Sequence, residues 1–199
     1  MDPAPIGSGN NRERAFLWLA PFAPPKGWRT VPPGGMCLCA FLFVLRGEQV
    51  LLGRYADHPA WETIAGMLGE RVRANAGGWT IPASHLLFGE DPRAAARRIG
   101  REILGIETDL AVGEPAVATF FYEPAAAPGE RHFDVAFLFE ASLAADAAVP
   151  PPPWYEALAW FDIGALGSLS FARQHGDVVQ AWLAKRECAS DRPGTPLSG

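Results

Sequence analysis

The stretch GEDPRAAARRIGREILGI, residues 89–106, is where the fold of this chain is decided. Gly89 suits a backbone with positive φ, Asp91 is a good helix N-cap, and Pro92 fits the first helical position because its missing N–H would have no intrahelical partner. Ala94, Ala95, Ala96, Ile99, Ile103 and Leu104 supply an apolar side. Gly105 suits a left-handed C-terminal stop. The spacing predicts a helix of roughly three and a half turns, framed by glycine at both ends. Gly100 falls inside it at a cost of about 1 kcal/mol relative to alanine, which points to a close backbone approach there.

Around this helix the chain alternates strand-like and turn-like segments. MCLCAFLFV, residues 36–44, is nearly all apolar and rich in β-formers, as expected of a strand buried on both faces. Gly47 and Glu48 turn the chain, and VLLGRY, residues 50–55, returns as a second strand. Residues 56–78 form an insertion with weak helical spacing from Trp61 to Val72, released by Gly77 and Gly78. Thr80 to Phe88 hold two short extended pieces around Pro82. Beyond the helix, Ala116 to Tyr122 and His132 to Ala141 form another hairpin. Pro150 to Pro153 make a polyproline spacer before a strand around Trp160, and Gln174 to Glu187 form a last helix with Val178, Val179, Trp182 and Leu183 inward.

With 199 residues, 49% of them hydrophobic, the chain can bury one substantial core and needs no second domain. A formal net charge of −5 argues against a sequence-independent grip on a nucleic-acid polymer. A small nucleotide fits better, with Arg93, Arg97, Arg98 and Arg101 as a local basic group. Cys37, Cys39 and Cys188 are too few and too irregular for a disulfide framework, and no pair has zinc-knuckle spacing. Buried thiols on one side of a strand account for Cys37 and Cys39. AFLWLAPFA, residues 15–23, is short and interrupted by Pro21, so packing against the core suits it better than a signal peptide. No run approaches the roughly 20 apolar residues of a membrane span. The expectation is a reduced cytoplasmic protein without a membrane contact.

Residues 84–106 resemble the Nudix box, whose pattern is Gly, five residues, Glu, seven residues, then Arg-Glu-aliphatic-x-Glu-Glu-x-Gly-aliphatic. Glu90, Arg98, Glu102, Gly105 and Ile106 fall in register, preceded by Trp79, Ile81 and Pro82 where the family often has W-x-x-P-G-G. Four positions depart from it: Ser84 stands for the first Gly, Ile99 for the Glu after Arg, Gly100 for the aliphatic, and Ile103 for the second paired Glu. The resemblance implies a Nudix-type α/β/α sandwich with a mixed β-sheet over residues 36–187, after an extension at 1–35 and before a loose tail at 188–199. It also implies a homodimer, and a hydrolase of a nucleoside diphosphate linked to another group, nucleotide sugars included. The alternative is a non-catalytic nucleotide-binding or regulatory module of the same fold.

By the same resemblance, carboxylates on one helix face bind magnesium or manganese, since hard cations prefer oxygen ligands. The positions that carry them read Ile99, Glu102 and Ile103. Glu102 is therefore the expected metal ligand and catalytic carboxylate, with Glu90 as a second metal candidate; a plain surface glutamate beside Arg98 is the alternative for Glu102. Arg98 is expected either to brace a neighbouring carboxylate near the substrate or to be a solvated helix arginine. Ile99 and Ile103 extend the apolar stripe, a gain on the order of 3 to 5 kcal/mol if both are buried. His85 and His132 are candidate bases, with His58, Asp134 and Glu140 also noted; for Glu140 a solvated strand end is the expectation. Trp79 and Phe88 are candidates for stacking on a base, or for the core. One subgroup, the GDP-mannose mannosyl hydrolases, works with a similarly reduced box.

Overall fold

The computed structural model describes residues 16–17, 36–65, 69–87, 89–108, 110–122, 132–144 and 146–190. Its centre is β2, Met36–Arg46, which is buried along nearly its whole length. Alternation sends Cys37, Cys39, Phe41, Phe43 and Leu45 to one face and Ala40, Leu42 and Val44 to the other, so a run with no polar residue between Met36 and Leu45 feeds two cores. At Gly47, φ is +57°, and the chain turns into β3, Gln49–Tyr55, with Leu45 opposite Val50.

Five strands lie in the order β4, β3, β2, β7, β6. Here β4 is Trp79–Thr80, β6 is Ala116–Tyr122 and β7 is His132–Ser142. β7 runs parallel to β2 from Met36↔Phe133 to Leu45↔Ser142, while β6 pairs antiparallel with β7, which makes the sheet mixed. β8, Tyr155–Asp162, pairs antiparallel along all of β3. The remaining edge of β2 is shared: β1, Phe16–Leu17, meets Cys37 and Met36, and β5, Ala83–His85, meets Cys39 to Phe41. Of the apolar segment at residues 15–23, only Phe16 and Leu17 are among the described residues, and they join the sheet.

Between β3 and β4 lie two short helices, α1 (Ala60–Ile64) and α2 (Gly69–Asn75). Trp61 fixes the first: it is buried, packs edge-on to Tyr55 and Tyr155, and donates its indole N–H to Trp154 O at 3.0 Å. One face of the sheet is covered by the helix that begins with α3, Pro92–Arg98. The other is covered by α4, His175–Ser190, whose Val178, Val179 and Trp182 are buried and whose Trp182 stacks on Phe43 at 4.2 Å. This helix runs three residues past the expected Glu187, and Leu183 is half-buried rather than fully inward. Helix, mixed sheet and helix form the α/β/α sandwich.

Glu140 differs from its expected solvated setting. It accepts from Trp182 Nε1 at 2.8 Å and Arg186 Nη1 at 2.9 Å, tying β7 to α4. An aromatic N–H that is buried needs such a partner, and a strand-end carboxylate opposite the helix supplies it.

Candidate functional site

The turn before α3 is built as the sequence indicates. Gly89 has φ +78°, and the Asp91 side chain accepts from Arg93 N at 2.9 Å and Ala94 N at 3.2 Å, satisfying two of the helix's open N–H groups. Arg98 then reaches back over the turn. Its Nε donates to Glu90 Oε1 at 2.7 Å and its Nη2 to Glu90 Oε2 at 2.9 Å, the bidentate geometry that a guanidinium and a carboxylate share. Nη2 also donates to His85 O at 2.9 Å, and Nη1 lies 3.4 Å from Ser84 Oγ. Leu87 N donates to Glu90 Oε2 at 2.8 Å. Burial opposes ionisation of Glu90, but the Arg98 hydrogen bonds and charge together with the Leu87 amide outweigh it and hold the carboxyl below its usual range. With its side chain only 8% exposed, Arg98 is a buried brace and not a solvated helix arginine. Both Glu90 oxygens are engaged in that brace.

The helix changes character at the next residue. Only Pro92–Arg98 is α-helical, and Ile99–Ile103 form a π-helical turn in place of the continuous α-helix expected. Leu104 N donates to Ile99 O at 3.2 Å, the five-residue spacing that defines such a turn. Gly100 faces a tight wall: a Cβ there would lie 2.6 Å from Leu110 Cδ1, so the close approach expected of a mid-helix glycine is present. Gly105, at φ +68°, ends the helix, and Trp154 Nε1 donates to the Ile103 carbonyl at 2.9 Å.

Ile99 and Ile103 are both fully buried, packed with Ala40, Leu42 and Val44 of β2. Glu102 is different: 55% of its side chain is exposed, and its Oε2 lies 3.8 Å from Arg98 Nη1. Of the three helix positions read above as carbon or carboxylate, one therefore faces water and two face the core.

The other expected residues scatter. His85 sits on β5 directly opposite Cys39, and its ring nitrogen and the two thiols of Cys37 and Cys39 all lie within 4.8 Å of one another. The thiols are 3.0 Å apart and buried, as expected. His132 opens β7 opposite Tyr122, its side chain falling outside the described part of the structure, and Phe88 lies outside the described residues. Trp79 is half-buried on β4, edge-on to Phe161 at 4.7 Å, with the Arg54 guanidinium 5.8 Å from its ring centre. His58 accepts from Ala60 N at 3.1 Å at the start of α1. Asp134 stands in register with Cys37 on β7, and burial, only partly offset by Arg173 and Arg71, raises its carboxyl to about 6.

A further polar group had no sequence signal beyond its residue types. Arg173 and Gln174 adopt φ of +55° and +58°, a region side chains other than glycine seldom enter. Arg173 Nη1 donates to Tyr55 Oη at 2.8 Å, and its backbone N–H to Asn75 Oδ1 at 2.9 Å, so the strained pair is fixed from both α2 and β3. Next to it, His175 is buried: Nδ1 accepts from Ile81 N at 3.2 Å and lies 2.5 Å from Thr80 Oγ1. Burial, then Arg173 and Arg71, push this imidazole well below its usual value, so it is neutral.

No protein-family model matches the sequence, and no curated protein is significantly similar to it. Solved structures do match. The MutT protein of Methanosarcina mazei Go1 superposes with a TM-score of 0.56 at 14% identity, over 76% of this chain and 96% of that one. The ORF135 protein of E. coli gives 0.52 at 21% identity, over 80% and 95%. The Nudix domain of Shewanella oneidensis NrtR, in complex with ADP-ribose, gives 0.51 at 14% identity, over 82% and 94%. Identities this low speak to architecture alone, and that architecture is the mixed sheet flanked by helices seen here: the chain has the Nudix fold.

Proposed function

We propose that this chain is a Nudix-type hydrolase of a nucleoside diphosphate linked to another group, a class that contains nucleotide sugars and the ADP-ribose held by the NrtR domain. The observation that carries the proposal is Glu102. It is a solvent-facing carboxylate in register with the box, and it rises from a helix whose base is locked by the buried Glu90–Arg98 pair.

Magnesium or manganese fits this donor set in one way only. Magnesium keeps several waters and is often held by one or two carboxylates plus substrate phosphates, so Glu102 suffices as its protein anchor when a diphosphate brings the rest. Glu90 is committed to Arg98 and Leu87, and Ile99 and Ile103 offer no oxygen. The cation would supply charge neutralisation on the diphosphate and a more acidic water. The chain's own part is positional. Arg98 ties the His85 carbonyl to the Glu90 side chain, and so sets where those two residues stand relative to Glu102.

The test is a screen of nucleotide sugars, dinucleoside polyphosphates, ADP-ribose and nucleoside triphosphates, with and without magnesium, read by release of phosphate or sugar. Turnover of at least one diphosphate-linked substrate that needs the cation is expected. Nucleotide binding with no product from any of them, with or without cation, would overturn the proposal in favour of a binding module.

A further inference from the structure

We propose that Cys37, Cys39 and His85 form a second, chemically distinct metal site that binds one zinc ion and pins β2 to β5 beneath the box turn. Alternation on a strand puts residues i and i+2 on the same side, and the two sulfurs are 3.0 Å apart. His85 lies opposite Cys39 in the antiparallel β2–β5 pair, where paired side chains share a face. The three ligand atoms fall within 4.8 Å of one another. Around tetrahedral zinc, with Zn–S about 2.3 Å and Zn–N about 2.0–2.1 Å, ligand atoms are separated by about 3.5–3.8 Å. Closing on an ion thus takes side-chain shifts of about 1 Å and no change in strand register.

The chemistry of the set selects the ion. Two thiols and an imidazole are borderline-soft ligands that suit zinc and discriminate against magnesium, whose oxygen-ligand preference Glu102 meets. Charge also balances: two thiolates and a dication sum to zero, so the loaded site adds no net charge to a core in which Cys37 is buried. Without an ion, burial and the neighbouring Cys39 push the Cys37 thiol well above its usual value. Asp134, in register with Cys37 on β7, is placed on the same face of the sheet. A disulfide is the poorer use of this pair. Residues two apart on a strand have Cα atoms about 6.6 Å apart, near the upper end of the disulfide range.

Such a site would be structural in effect. The His85 carbonyl is a hydrogen-bond acceptor of Arg98, so an ion on the His85 ring would fix both sides of the residue from which the box turn departs.

The full chain with Cys188→Ser, which removes the exposed third thiol, is freed of metal by a chelator and titrated anaerobically with cobalt(II) as a spectroscopic stand-in. One equivalent should give thiolate-to-cobalt charge-transfer absorption and the d–d bands of a tetrahedral ion, both abolished by one equivalent of zinc. Zinc should raise the melting temperature of this protein and not of Cys37→Ser. In chelator competition His85→Gln should weaken zinc by at least about 100-fold, more than the loss of an outer-shell partner. Absence of the charge-transfer band, its persistence in the Cys37→Ser and Cys39→Ser proteins, or a Cys37–Cys39 disulfide in protein isolated under reducing conditions would each overturn the proposal. The titration of the Cys188→Ser protein decides the matter even if a Cys37 or Cys39 variant fails to fold.

Discussion

The two halves of the segment from Gly89 to Ile106 have been built by different physics. From Gly89 to Arg98 the contacts are polar and directional: a positive-φ glycine, a capped helix start and a buried bidentate ion pair. From Ile99 to Ile106 they are mostly apolar: a π-helical turn with Ile99 and Ile103 fully buried, closed by Gly105, from which Glu102 alone offers an acidic side chain to water. A loop can be held in place by one half while the other is given over to packing. On the proposed function, that division would keep a scaffold for chemistry on very few functional groups.

The comparison is broken most forcefully by restoring what the second half lacks. Ile99→Glu puts a carboxylate into the apolar cluster that holds Ala40, Leu42 and Val44. A loss of about 3–5 kcal/mol is expected, the range seen for an uncompensated buried charge, read by urea denaturation. If the variant instead kept wild-type stability and gained activity, position 99 would belong to the site and not to the core.

A smaller loss is expected in the first half. Glu90→Gln removes the bidentate partner of a guanidinium that is itself almost fully enclosed, and should cost about 2–3 kcal/mol, or about 4–12 °C in melting temperature for a chain of this size. Because the native Glu90 carboxyl titrates below its usual range, the contribution of the pair is present above the unfolded-state value and is lost as pH falls through the native one. Wild type and Glu90→Gln should therefore converge in stability on acidification. A constant gap down to strongly acid pH would mean the pair acts through shape alone.

The smallest effect sharpens the contrast from outside the box. His175 is neutral in the fold, whereas an unfolded histidine takes up a proton near pH 6.5. Stability is then full above that value and declines as pH falls below it, by up to about 1.4 kcal/mol per pH unit until the native group titrates. His175→Asn should flatten the melting-temperature profile between pH 7 and pH 5. An unchanged slope would assign the acid sensitivity to other groups.

How far residues announce their roles follows from how local their physics is. Gly89, Asp91, Pro92 and Gly105 act within a few residues of themselves, so the turn, cap and stop were legible. The nearly unbroken apolar run of β2 also implied burial on both faces. The π-helical turn was not legible, because it depends on Leu110 and Trp154 closing around Gly100 and the Ile103 carbonyl from elsewhere in the chain. The same holds for Glu140, whose partners Trp182 and Arg186 come from the final helix, and for Arg173, whose positive φ is fixed by Asn75 and Tyr55. His85 was read as a possible base near the box; only the pairing of β5 with β2 brings it to Cys37 and Cys39.

The central claim is that one exposed carboxylate carries the chemistry of a helix otherwise given to structure, and Glu102→Gln tests it most directly. On whichever diphosphate-linked substrate the wild type turns over fastest with magnesium, kcat/KM should fall by about 100-fold or more, equivalent to about 2.7 kcal/mol of transition-state stabilisation, with the melting temperature unchanged because the side chain is largely in water. Retention of wild-type kcat/KM and of the magnesium dependence in Glu102→Gln would contradict it.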